Sequence, residues 1–139
     1  MAETIETIKA SLTDIRIAPR KVGVVASLVR GRTVEDALII LAHTPRRSAG
    51  TVAKAIESAK ANAVNNHGFK AEGLTIKTIS VTAGVRWKRF RPIARGQAHP
   101  FIKRNSNIYV ELTGEKKPAK EQVSTKTTIK KASDKKGAK

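Results

Sequence analysis

The strongest constraint on the fold is a long stretch, residues 73–110, that contains eight basic residues and no aspartate or glutamate. Its two ends alternate between apolar and polar residues, which is typical of β-strands with one face against a core. The alternation changes phase near Thr78, as a β-bulge would cause. The middle, residues 86–96, is too basic for a core and too long for a tight turn. The stretch therefore predicts a two-stranded ribbon, over about residues 74–110, with a cationic outer end.

Such a ribbon needs something outside the chain to hold it. An isolated two-stranded hairpin is marginally stable in water, and arms of about 15 residues at about 3.3 Å per residue would extend roughly 50 Å. The formal net charge of +17 also opposes a compact state unless a polyanion neutralises it. Trp87 and Phe90 lie among the arginines of the outer end, and exposed rings beside cations suit stacking on unpaired RNA bases. A small local core around these two rings is the alternative. We expect structured RNA as the partner.

Residues 1–72 predict a strand followed by helices. Apolar residues alternate at positions 8–12, as in a strand. Pro19 suits the first position of a helix, Thr33 with Asp36 resembles a capping box for a second helix, and Thr44-Pro45 repeats the start signal for a third. Beyond the ribbon, residues 113–139 contain nine lysines against three acids, a composition that predicts a tail that is disordered when free. The predicted domain therefore covers residues 1–112.

Basic residues cluster where two of these helices start. Arg16, Arg20 and Lys21 bracket the first start, and Arg46 and Arg47 mark the third. Free N–H groups and the helix dipole attract phosphate at such places, and the planar arginine fork binds phosphate through two hydrogen bonds. We expect RNA contact here, with an ordinary solvated surface as the alternative. Further candidates for RNA contact are Lys54, Asn62, Asn65, Asn66, His67, Arg95, Lys103 and Arg104.

Some of these further candidates have simpler explanations. A solvated helix face accounts equally well for Lys54, and capping of the helix end accounts for Asn66.

No constellation for catalysis stands out in the sequence. The three histidines are separated and lack an obvious carboxylate or thiol partner, and the eleven acids are scattered. The absence of cysteine excludes disulfides and cysteine-bound zinc. We therefore expect no enzyme, no metal, no cofactor and no small-molecule substrate. There is no apolar run long enough for a membrane span and no signal-peptide pattern, so a cytoplasmic location without membrane contact is the default expectation.

Four stretches resemble a known family. They run in the order IRIAPRK at 15–21, LAHTPRR at 41–47, SAKANAVNNHG at 58–68 and KRFRPIARGQ at 88–97, the last followed by NIYVEL at 107–112. Together they resemble ribosomal protein twenty-two of the large subunit, in its bacterial form. Each motif alone is weak, but the ordered set is specific.

The resemblance implies an α+β fold, with three helices packed on a small antiparallel three-stranded sheet and a long protruding β-hairpin. It implies that the domain binds 23S rRNA, supports subunit assembly and contacts neighbouring large-subunit proteins, in the cytoplasm within the ribosome. It also implies that the hairpin tip lines the nascent-peptide exit tunnel and meets the nascent polypeptide. The residues expected at that tip are Arg86, Trp87, Lys88, Arg89, Phe90 and Arg91.

This chain departs from the family pattern at three positions. Ala18 stands where serine is usual, which removes a side-chain cap worth about 1 kcal/mol. Ile93 replaces a usually basic residue on the return arm of the hairpin, and Asn107 stands where histidine is common. A DNA-binding protein that inserts a β-ribbon is the alternative function, although such proteins normally dimerise through an apolar surface that the sequence does not offer. A nucleic-acid enzyme is the third class, and it would need acids or a nucleophile–base pair.

Overall fold

The computed structural model describes residues 7–115; the predicted tail lies outside these residues from position 116 onward. The fold is α+β, as predicted: three helices cover one face of an antiparallel three-stranded sheet in the order β1-β3-β2. Its elements are β1 Thr7–Ile15, α1 Pro19–Val29, α2 Val34–His43, α3 Arg47–His67, β2 Thr75–Pro92 and β3 Ala98–Thr113, with a short 3₁₀ turn at Ala94–Gly96.

The first two helices begin where their start signals predict. Pro19 is the first residue of α1, after an Ala18 that makes no side-chain cap. The Thr33 hydroxyl accepts a hydrogen bond from the Asp36 backbone N–H at 3.3 Å and donates to the Asp36 carboxylate at 2.7 Å. Asp36 therefore completes the cap of α2 through the threonine hydroxyl rather than through the backbone reach of a typical capping box.

Thr44-Pro45 does not start the third helix, so that prediction is wrong. Thr44 closes α2: its backbone N–H donates to the Leu41 carbonyl and its hydroxyl donates to the Ile40 carbonyl at 2.7 Å. Helix α3 starts only at Arg47, and the residue before it, Arg46, offers no side-chain cap. Its N-terminal N–H groups thus lack a partner side chain.

The core lies between the helices and the covered sheet face. Helix α1 packs against β2, α3 against β1 and β3, and α2 against α3. The buried side of α3 includes Ala55, Ala59 and Ala63, all at most 3% exposed, and such small side chains let the helix approach the sheet closely. Phe69, just beyond the helix, is one of the largest fully buried side chains. Gly68 ends α3 in the left-handed conformation, with φ at 67°, which glycine adopts without a steric cost.

Strands β2 and β3 form the hairpin, and only its outer half protrudes. The inner halves carry the predicted alternation and bury one face in the core, with Ile79 and Val110 fully covered. The register shifts between Ile76 and Thr78, which is the bulge that the change of phase predicts. From residue 85 to residue 104 every residue is exposed. The free part of β2 is eight residues long, or about 26 Å at 3.3 Å per residue, and so about half of the expected reach.

The end of the hairpin is a tight turn, and Ile93, which we expect on the return arm, instead opens this turn. The Ile93 N–H donates to the Gln97 carbonyl at 2.8 Å, and Arg95 adopts a left-handed φ of 60° between them. Residues 86–91, which we expected at the tip, instead lie on β2 and pair with β3, since Arg91 is opposite His99. Strand pairing thus continues through the cationic segment, and Arg95 is the charged residue at the turn itself.

Two bulges lie on either side of β3, next to Ser106, where the hairpin leaves the domain. In β1 the register shifts between Leu12 and Ile15, and in β2 between Ala83 and Arg86. Asp14, with φ at 56°, donates its backbone N–H to the Asn107 side-chain oxygen at 2.9 Å. The Asn105 amide in turn donates to the Asp14 carboxylate. The amide oxygen of Asn107 is therefore an acceptor that stabilises the bulge.

Candidate nucleic-acid interface

The starts of α1 and α3 lie side by side. The Ser48 hydroxyl donates to the Lys21 carbonyl at 3.3 Å, and Ser48 is only 4% exposed. This bond joins the first turn of α3 to the first turn of α1. The sequence-predicted pairs Arg20-Lys21 and Arg46-Arg47 therefore belong to one surface, although they are separated in sequence.

The same surface continues to the base of the hairpin. The Ser106 hydroxyl, fully buried, donates to the Ile17 carbonyl at 2.9 Å. This bond holds the segment with Arg16 beside the point where β3 enters the domain, two residues after Arg104. We call the group Arg16, Arg20, Lys21, Arg46 and Arg47 the helix-start cluster.

The candidate cations are free of acidic partners. Within residues 7–115 the ion pairs are Lys9–Glu111, Lys60–Glu35 and Lys70–Glu115, and no candidate residue takes part in them. All members of the helix-start cluster are exposed. Two further arginines serve the fold instead: Arg30 donates to the Ile79 carbonyl and Arg32 to the Leu28 carbonyl. The protein therefore leaves the charge of the cluster available to an external anion.

The polar group late in α3 is not part of this surface. Helix α3 has 21 residues, so Asn62, Asn65, Asn66 and His67 lie about 20–30 Å from its start at 1.5 Å per residue. The Asn66 amide reaches the Asn62 oxygen at 3.5 Å, at the outer limit of a hydrogen bond. The His67 ring meets Phe69 edge-on at 6.5 Å. These residues form a separate polar end, and Lys54 lies exposed between the two ends.

The outer hairpin is the most cationic element of the described chain. Residues 85–104 contain no acid and seven cations, which are Arg86, Lys88, Arg89, Arg91, Arg95, Lys103 and Arg104.

Its register sorts the side chains into two faces, because opposite residues of an antiparallel pair lie on the same side and neighbours along a strand alternate. The Trp87 face holds the pairs Trp87–Lys103, Arg89–Phe101 and Arg91–His99. The Phe90 face holds Arg86–Arg104, Lys88–Ile102 and Phe90–Pro100.

Two residues of the Trp87 face were missed by sequence reasoning. His99 and Phe101 are not among the sequence-predicted candidates, because a face can be assigned only once the turn and the cross-strand register are known. With the turn placed at residues 93–97, every second residue along each strand lies on the same face. This alternation puts His99 and Phe101 on the face of Trp87.

Over the same described residues, no three histidine, aspartate or glutamate side chains gather as metal ligands would. None of the described helices is both long and apolar enough to cross a membrane.

Residues 10–113, which run from β1 through the whole hairpin to the end of β3, match the family model described as Ribosomal protein L22p/L17e. The chain belongs to this family. Proteins named large ribosomal subunit protein uL22 are similar to it. The one from Clostridioides difficile is 47% identical over 108 residues, covering 78% of this chain and 97% of that protein. The one from Lactobacillus gasseri is 44% identical over 113 residues, covering 81% and 97%.

A third relative with the same name, from Metamycoplasma arthritidis, is 38% identical over 130 residues and 94% of this chain. The chain spans 62% of the length of that longer protein. The match to the L22p/L17e family model ends at residue 113, which is also the last residue of β3. The family therefore accounts for the domain and the hairpin together.

Proposed function

We propose that this chain is a structural component of the large ribosomal subunit that binds 23S rRNA and supports subunit assembly. Its outer hairpin lines the nascent-peptide exit tunnel. Its partners are 23S rRNA, neighbouring large-subunit proteins and the nascent polypeptide, in the cytoplasm within the ribosome. Membership of the L22p/L17e family supports the assignment to the large ribosomal subunit. The charge and shape of the chain support the binding of RNA. No catalytic role, cofactor or small-molecule substrate is part of the proposal.

The observation that carries the proposal is the exposed, acid-free outer hairpin. Residues 85–104 have no core beneath them, and Arg86 lies directly opposite Arg104. Like charges in that position are destabilising, by an amount comparable to the roughly 0.2–1 kcal/mol of a favourable cross-strand pair. A ribbon of this kind gains stability when phosphates surround it. Its length and narrow shape suit insertion between RNA segments rather than contact with a flat surface.

The helix-start cluster also suits an anionic ligand. Five exposed cations lie where two helices begin side by side, so positive side chains and helix dipoles favour the same ligand charge. Neither α1 nor α3 has a side-chain cap at this end, and phosphate oxygens would accept hydrogen bonds from the free N–H groups. The cluster is thus suited to positioning the domain on an RNA backbone.

The RNA-binding claim is tested by measuring the affinity of the full chain for purified large-subunit rRNA at several salt concentrations. Released counterions should give a log–log slope of about −0.7 to −0.9 for each phosphate neutralised. The triple variant Arg20→Gln, Arg46→Gln and Arg47→Gln should bind more weakly and with a shallower slope.

The matched control removes the same charge elsewhere. Lys9→Gln, Lys60→Gln and Lys70→Gln also delete three cations, but each is paired with a glutamate in the free protein. This control should bind more tightly than the cluster variant. Equal losses for the two triple variants would mean that net charge matters and the cluster does not. A salt-independent affinity would refute the electrostatic basis of the proposal.

The tunnel claim needs a separate experiment. A photoreactive residue in place of Arg95, at the turn, should crosslink to a stalled nascent chain in assembled ribosomes. The same group in place of Lys54, on the domain, should not. Crosslinks from Lys54 alone, or from neither position, would contradict the placement of the hairpin in the tunnel wall.

A further inference from the structure

We infer that the two faces of the outer hairpin have different partners, and that the Trp87 face binds unpaired RNA bases by stacking. The inference rests on the proposed rRNA binding and goes beyond it by naming the face, the residues and the chemical group that they recognise.

The cross-strand register is the first support. On the Trp87 face, three successive pairs each combine a ring with a cation: Trp87 with Lys103, Phe101 with Arg89, and His99 with Arg91. A ring offers its surface to a base, and the cation beside it neutralises the adjoining phosphate. Arginine adds a second planar group that stacks on bases. Each of these cross-strand pairs, which we call rungs, therefore carries a ring for the base of a nucleotide and a cation for its phosphate.

The spacing of the rungs is the second support. Successive residues on one face are two positions apart, or about 6.6 Å at 3.3 Å per residue. This is close to twice the rise of about 3.4 Å per nucleotide in a stacked strand. A base that enters between two side chains with this spacing has a planar group within stacking distance above and below it. Trp87 and Arg89 border one such slot along β2, and Phe101 and His99 border another along β3.

The rings of this face are open. Trp87 is 48% exposed and Phe101 is 39% exposed. Among the described residues, the close aromatic contact is His67 with Phe69, so the hairpin rings do not stack on one another. No acid of residues 7–115 is paired with Arg89, Arg91 or Lys103. Within the described residues, neither an aromatic ring nor an acid therefore occupies the exposed parts of these rings and cations.

The Phe90 face has the more exposed ring but lacks this arrangement. Phe90 is 73% exposed, yet its partner across the ladder is Pro100, and the next rung outward pairs Pro92 with Ala98. A base stacked on Phe90 would find no cation on its own rung or on the outer one. Exposure alone would favour Phe90 as the stacking residue, but the distribution of charge favours the opposite face.

Tryptophan fluorescence offers a direct test, because Trp87 is the single tryptophan of the chain. The full-length protein is titrated with a short single-stranded oligoadenylate and with purified large-subunit rRNA, while a filter assay measures binding independently. We expect binding to quench Trp87 emission, and an oligoadenylate duplexed with its complement to quench it less. Full binding with unchanged emission would overturn the inference.

Matched variants test the choice of face. Phe101→Ala should weaken binding by roughly 5- to 150-fold, as expected for one stacked base, whereas Phe90→Ala should change it less than about threefold. Arg89→Ala removes one cation from the Trp87 face, and Lys88→Ala removes one from the neighbouring position on the Phe90 face. Arg89→Ala should lower the affinity for RNA more than Lys88→Ala. Since the outer hairpin lies outside the core, all four variants should keep the thermal midpoint of the parent.

The outcomes separate the inference from the function on which it rests. If the parent chain binds no rRNA, the proposed function fails. If the parent chain binds rRNA but Phe90→Ala lowers the affinity as much as Phe101→Ala does, rRNA binding stands and the assignment of faces fails. In assembled large subunits, a photoreactive phenylalanine analogue in place of Phe101 should crosslink to RNA. Crosslinks from that position to protein alone would overturn the inference as well.

Discussion

Replacing Asp14 by alanine should disturb the point where the hairpin leaves the domain. Asp14 has a φ of 56° in the bulge of β1. Its carboxylate accepts a hydrogen bond from the Asn105 amide, and its backbone N–H donates to Asn107. The substitution removes the carboxylate and places a residue with a Cβ but no polar side chain in the left-handed conformation.

The expected loss of stability follows from these two changes. Asn105 is 4% exposed, so its amide would lose a partner in a buried place, at a cost of about 1–3 kcal/mol. The left-handed conformation costs an ordinary residue about 1–2 kcal/mol, and because aspartate tolerates it better than alanine, the substitution adds part of this cost. Asp14 itself is exposed and water replaces part of its bonding, so the lower half of the range applies. We expect a total of about 2–3 kcal/mol, or roughly 8–24 °C in thermal midpoint for a domain of this size.

Two further variants separate the causes. Asp14→Asn keeps an acceptor and tolerates the conformation, so it should cost less than about 1 kcal/mol. Asp14→Gly relieves the strain of the left-handed backbone but loses the hydrogen-bond acceptor. Its loss in free energy of unfolding should therefore lie between those of the alanine and asparagine variants. Urea unfolding of the full chain, followed by far-ultraviolet circular dichroism, gives all three values. An alanine variant as stable as the asparagine variant would show that the junction does not depend on these contacts.

Three other outcomes follow from the same structure. Gly68→Ala meets no atom within 4 Å but keeps a φ of +67°, so it should lower the free energy of unfolding by about 1–2 kcal/mol through backbone strain alone; a neutral result in urea would contradict this. Phe69→Ala should cost about 3–5 kcal/mol, measured in the same way, and a loss below 1 kcal/mol would place the ring outside the core. Replacing residues 86–104 by a two-residue Asn-Gly turn should leave the thermal midpoint of the domain within a few degrees, whereas a large fall would mean that the outer hairpin supports the core.

The elements of the fold could be predicted because their signals are local. Pro19 and Gly68 act through their own backbone conformations, and the alternation around Ile79 and Val110 reports burial directly. Thr44 shows the limit of local signals, since the same hydroxyl can cap a following helix or close the preceding one. The structure decides between these uses through the carbonyl of Ile40.

The sequence predicts the composition of the candidate site but not its arrangement. The arginines of the hairpin and of the helix starts stand out by charge alone. That Arg20 and Arg47 share one surface depends on the buried bond from Ser48 to the Lys21 carbonyl, which joins residues distant in sequence. The faces of the hairpin depend on where strand pairing ends, and a one-residue change in register would exchange them.

We propose that RNA holds the chain in the large ribosomal subunit. Sedimentation of a cell lysate through a high-salt gradient, with the chain detected by antibody across the fractions, tests this proposed location. We expect the chain in the large-subunit and whole-ribosome fractions, and its release when the rRNA is digested. A chain that stays at the top of the gradient, or that follows DNA and is released by DNase, would contradict the account.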